Sequence, residues 1–106
     1  MKVLRFTGEC GRFVDRFGSN FVMSRIIEHH GDVHIACMHL NANGRIGHHD
    51  ATTGQLFFVV EGEGWVRGKK GERLLIQAGE AAFWRKGEGH ESGTETGMTA
   101  IVIESD

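Results

Sequence analysis

Gln55-Leu56-Phe57-Phe58-Val59-Val60-Glu61, closed by Gly62-Glu63-Gly64, is the stretch from which the rest of the chain is read. Aromatic and β-branched residues dominate it and glycines end it, which describes a strand and not a turn of helix. Successive side chains of a strand point to opposite faces. One face here carries Gln55, Phe57 and Val59, and the other carries Leu56, Phe58 and Val60. A solvated face would be polar, so two apolar faces predict that the outside is covered too, by a second sheet or a second copy of the chain. Ile101, Val102 and Ile103 pose the same question. A homodimer is expected.

Working outward, Gly62-Glu63-Gly64 is expected to turn this strand into Trp65-Val66-Arg67, and Gly68-Lys69-Lys70-Gly71 to turn that into Arg73–Gln77. Further strands are expected at Glu80–Trp84 and Thr99–Ile103. Upstream, Phe21–Glu28 is rich in strand formers and Asp32–Leu40 alternates. Gly31-Asp32 between them suits a two-residue hairpin turn, which would set His29 opposite His34. Asn41-Ala42-Asn43-Gly44 is the next turn, and the chain is then polar until Gln55. No stretch repeats its apolar residues at helical spacing. The reading is one all-β domain over residues 1–106 with little helix.

Composition narrows the classes. A formal charge of −2 over 106 residues, with acids and bases interspersed, argues against nucleic acid as the main partner. No apolar run approaches the roughly 18 residues of a membrane span. A charge interrupts the apolar residues of Met1-Lys2-Val3-Leu4-Arg5-Phe6, so no secretory leader is read there and the cytoplasm is expected. Cys10 and Cys37 are read as reduced thiols, Cys37 as a small buried residue alternating with Val33 and Ile35. Sixteen glycines and no proline punctuate many short elements.

Two spacings then stand out. Gln55 is followed after six residues by Gly62, and Gly79 after five residues by Arg85-Lys86-Gly87, two residues and His90. Together they resemble the two signature motifs of the cupin superfamily, over about 44–62 and 79–94 of this sequence. The resemblance implies a double-stranded β-helix, or jelly-roll barrel, that holds a small molecule inside. It also implies a divalent transition metal (zinc, nickel, copper, iron or manganese) on histidines of both motifs and an acidic residue of the first.

Two alignments carry those roles onto this chain: His49 with Ala51, or His48 with Asp50. Strand parity favours the first, since residues 49, 51 and 55 share a side of an unbroken strand. The inward set is then His49, Gln55 and His90, with His48 and Asp50 in reserve, and Phe57, Val59 and Phe83 as apolar walls. Alanine replaces one histidine and glutamine the acid, so any metal is weakly held. Glu88 and Glu91 flank His90 as candidate general acid or base, and Trp84 is read as core. Three readings follow: a small-molecule-binding barrel, a metal-dependent enzyme of isomerase, epimerase or dioxygenase type, or a non-catalytic dimeric scaffold.

Overall fold

A computed structural model describes residues 1–106. Ten strands run in the order β1 (Lys2–Arg5), β2 (Arg12–Val14), β3 (Phe21–Met23), β4 (Val33–Leu40), β5 (Arg45–Asp50), β6 (Gly54–Arg67), β7 (Leu74–Gln77), β8 (Glu80–Trp84), β9 (Gly89–Gly93) and β10 (Met98–Ser105). The only helical elements are two short 3₁₀ turns, Gly8–Cys10 and Arg16–Gly18. All-β architecture is what the alternation predicted.

The strand that opened the reading is longer than expected. β6 runs unbroken through Gly62 and Gly64 to Arg67, where the sequence suggested a hairpin. Its first half lies between β8 and β10 in the antiparallel order β1-β8-β6-β10-β4. Its second half lies between β7 and β9, and β9 pairs in turn with β5. Gly62 has φ +78°, and a β-carbon there would collide with the carbonyl oxygen of Gly97, which immediately precedes β10. Glycine therefore serves here to carry one strand from one sheet into the other, where the sequence suggested a turn at Gly62-Glu63-Gly64.

The core lies between the two sheets. Phe57 and Val59 of β6, Ala82 and Trp84 of β8, and Ala100 and Val102 of β10 meet Val66, Ile76, Met98 and Ala51 there. A second cluster sits on the outside of the first sheet. Leu56, Ala81 and Ile103 are buried in it, with Leu4, Phe6, Phe58, Phe83 and Ile101 packed around them. Part of the cover expected over Leu56 and Phe58 thus comes from this chain's own residues 4 and 6. Val60 and Ile35 on the same side stay exposed, at 45% and 66%.

Three local expectations are corrected. β3 ends at Met23 and pairs with β2, while β4 pairs with β10, so no hairpin forms at Gly31-Asp32 and His29 does not face His34. His29 instead approaches Asp106, with Nε2 3.5 Å from a carboxylate oxygen. Cys37 is exposed, because β4 is an edge strand with nothing packed on that side, and Cys10 is exposed as well; neither is in a disulfide. Four strands went unread: β1 and β2, which are only four and three residues long, and β5 and β9, which are built mostly of polar residues and glycine and give no apolar alternation.

Candidate functional site

β5 and β9 are the strands that bring the two motifs together. Ile46 pairs with Ser92 and His49 with His90, so β5 has one residue more than β9 between these pairs. That extra residue is a β-bulge, and it lets Ile46 and His49 both face inward. Ile46 packs against the core, and the His49 ring lies 4.3 Å from the His90 ring, centroid to centroid. His48 and Asp50 lie on the other side, over Gly89, where a β-carbon would meet both. β5 ends at Asp50 and β6 begins at Gly54, so it is the bulge, and not one unbroken strand from 49 to 55, that sets His49 beside His90. Ala51, which the sequence reading aligned with His49, is buried in the core.

His90 is 2% exposed and its ring stacks on the indole of Trp84 at 4.5 Å. Its Nδ1–H donates to the carbonyl of Glu88 at 3.2 Å, and the Nδ1–H of His49 donates to the carbonyl of Gly47 at 2.8 Å. A carbonyl only accepts, so each ring keeps Nε2 as a bare lone pair. His90 Nε2 is buried and has no protein partner; Trp84 Nε1 is in the same position. Burial holds the His90 imidazole below its ordinary value of 6.5, the nearby His49 and His48 push the same way, and the bond to Glu88 opposes them. His90 is therefore neutral at pH 7.

The other residues read from the sequence divide. Gln55 is half-buried and pairs with Trp84 across β6 and β8, on the inward side with Phe57 and Val59. Phe57 and Val59 are packed core, 1% and 0% exposed. Phe83 is corrected: one residue from Trp84 on β8, it faces outward into the cluster of Leu56, Ala81 and Ile103 and walls no interior space.

Glu88 and Glu91 are not turned toward His90. Burial would raise the Glu88 carboxyl, but the Met1 amino group and the Arg85 amide on its oxygens prevail and leave it lowered. A carboxylate held that way is a poor proton donor near neutrality. Glu91 alternates with His90 on β9 and so points to the opposite face. It is buried there with its Oε1 2.7 Å from Arg67 Nε and Arg45 Nε 4.0 Å from its Oε2. The two guanidinium groups compensate the charge of the buried carboxylate.

Register also brings in two side chains to which the sequence reading gave no part in the site. On β10, Met98, Ala100 and Val102 are buried in the core, and Glu104 continues their side. Glu104 pairs with Gln55 on one flank and with His34 on the other. His34 shares its face of β4 with Met38 and Leu40, which pack on the core. Parity along β10 was the signal that could have found Glu104.

A surface groove of about 550 Å³, lined by Glu63, Trp65, Leu75, Glu80 and Glu95 among others, touches none of these residues. The Arg73 guanidinium sits 3.7 Å over the Trp65 ring there and occupies the aromatic face.

No family model matches the sequence, and no curated protein matches it. Solved structures do match the fold. A cupin superfamily protein of Desulfitobacterium hafniense is 9% identical, with a TM-score of 0.65 over 74% of this chain and 71% of that one. A cupin-2 domain containing protein of Shewanella frigidimarina is 22% identical, with a TM-score of 0.61 over 77% and 78%. A protein of Neisseria meningitidis is 28% identical, with a TM-score of 0.61 over 77% and 81%. The likeness is one of fold: the two sheets and shared strand of this chain form the double-stranded β-helix of these cupin structures. No helix in it is long and apolar enough to cross a membrane.

Proposed function

We propose that the protein is a small-molecule-binding cupin barrel whose site is the open end of the sandwich, at His90, His49 and Gln55. The observation that carries this reading is the buried, unpartnered Nε2 of His90 beside the exposed His49. A buried polar atom without a partner costs about 1–3 kcal/mol. Evolution of a well-packed domain removes such a cost unless something occupies the place, and a bound ligand supplies the missing partner.

A divalent transition metal is the second occupant the site admits. Ligating histidines usually donate their other ring N–H to a carbonyl or carboxylate, which fixes the ring and leaves the second nitrogen for the ion. His49 and His90 both meet that condition. No third His, Cys, Asp or Glu joins them in one cluster, so the chain offers two imidazoles and the Gln55 amide. That set fits zinc, nickel or copper better than iron or manganese, which favour a carboxylate.

The experiment is titration of dialysed protein with Zn²⁺, followed by thermal melting against a small-molecule panel, with His90→Phe alongside. The reading predicts saturable stabilisation by one or the other that His90→Phe abolishes. Stabilisation that survives His90→Phe unchanged would overturn it.

The exposed Ile35 and Val60 beside the outer cluster support a homodimer joined through that face. Two unpaired, exposed thiols, Cys10 and Cys37, support a reducing compartment such as the cytoplasm.

A further inference from the structure

Three side chains stand abreast on the inner face of the first sheet at its open end. Gln55 on β6 pairs with Glu104 on β10, and Glu104 pairs with His34 on β4. Gln55 pairs on its other flank with Trp84, which carries the stacked His90 ring. The row therefore runs Trp84, Gln55, Glu104, His34, with His90 and His49 facing it from the second sheet. Gln55 and Glu104 are half-buried while His34 and His49 are exposed, so this end is open to solvent.

The chemistry of the row is one-sided. Glu104 is its one carboxyl group. No lysine or arginine occupies any of the six positions. Arg45 and Arg67, the cations nearest in the second sheet, are drawn to Glu91 on its opposite face. Both inward imidazoles present lone pairs, since their Nδ1–H groups are bound to carbonyls. Lone pairs and a carboxylate with no cation among them attract hydrogen-bond donors and repel anions.

We infer that this end of the barrel takes a small molecule carrying an ammonium group, with Glu104 holding the positive charge and His90 Nε2 accepting a hydrogen bond from the other end of the ligand. The inference rests on the pocket proposed above and adds Glu104 to it. Neighbouring strands are about 4.8 Å apart, so Glu104 stands roughly 10 Å along the sheet from Trp84. A short flexible chain spans that gap once the reach of the glutamate itself is subtracted. The Gln55 carbonyl lies between the two ends and can accept a further bond. A small anion would instead meet the Glu104 carboxylate.

Three probes of one length and three charges test this: 1,4-diaminobutane, 1,4-butanediol and succinate, measured by calorimetry against the full chain. The diamine is expected to bind at least tenfold tighter than the diol, and succinate not at all. Glu104→Gln, which keeps the side chain's shape, is expected to bring the diamine down to the level of the diol. Glu95→Gln, an exposed acid outside the row, is expected to change nothing. A melting curve for each variant confirms that it is folded, and Glu104→Asp should keep part of the preference.

Equal binding of the diamine to the native chain and Glu104→Gln overturns the role of Glu104. Tighter binding of succinate or the diol, lost in His90→Phe, overturns the choice of ligand charge and leaves the His90 pocket standing. Failure of all three to bind also overturns the inference, while the pocket itself is judged by the zinc titration.

Discussion

The imidazole of His90 lies on the indole of Trp84, with ring centroids 4.5 Å apart and planes inclined by 27°. One ring comes from each motif strand of the second half of the chain, β8 and β9, and the two belong to different sheets. Their contact joins the packed core to the site. Trp84 is fully buried and fixes the plane of His90; the Glu88 carbonyl fixes its rotation by taking Nδ1–H. What remains free is Nε2.

Replacing that ring separates packing from chemistry. His90→Phe keeps an aromatic face on Trp84 and removes the lone pair, so stability should stay within about 1 kcal/mol. His90→Ala leaves a void beside Trp84 and should cost about 2–3 kcal/mol. Urea melts measure both, and ligand or Zn²⁺ stabilisation should be lost in both.

Acid should weaken the fold through the same residue. The folded protein holds His90 below 6.5, so as pH falls through that value the unfolded chain takes up the proton first. Stability contributed by neutral His90 is intact above about pH 6.5 and declines below it until the folded pKa is reached. Glu88, lowered from 4.5, adds a second decline at more acid pH by the corresponding argument for a carboxylate. Melts from pH 8 to pH 4 should show the first decline in the native chain and a smaller one in His90→Phe.

Gly62 should tolerate nothing larger. Its φ is +78°, and its missing β-carbon leaves room for the Gly97 carbonyl. Gly62→Ala should cost about 2 kcal/mol or more, through left-handed strain and collision together. Gly71, also at positive φ but in open space, should lose only the strain when changed to Ala.

Restoring an acid at residue 55 tests the metal geometry. Gln55→Glu should raise Zn²⁺ affinity by about tenfold or more, because a carboxylate adds charge neutralisation that an amide lacks. Isothermal titration reads the change directly. Unchanged affinity would show that residue 55 does not reach an ion held by His49 and His90.

The outer face carries the prediction about assembly. Ile35 is 66% exposed on an edge strand whose face continues the outer cluster. Ile35→Glu should turn a dimer into a monomer in light scattering at micromolar concentration, with the melting temperature of the barrel lowered by loss of the interface. A native chain that already runs as a monomer would remove the dimer.

The all-β class, the strands near Val33–Leu40, Leu74–Gln77, Glu80–Trp84 and Met98–Ser105, and the likeness of two spacings to cupin motifs were legible in the sequence. Alternation and turn chemistry act over a few residues, and a linear string records them faithfully. The tertiary structure decided what depends on partners. The same glycines that read as a hairpin carry β6 from sheet to sheet, because Gly97, 35 positions away at the entry to β10, comes close to Gly62. Polar β5 and β9 are strands through their pairing, β9 with both β6 and β5, and a one-residue bulge set His49 against His90. Phe83 faced outward, Glu88 and Glu91 found cations, and Glu104 came level with Gln55 through register between β6 and β10. Local backbone preference is written residue by residue; which side chains meet is a property of the pairing, and the pairing exists only in the folded chain.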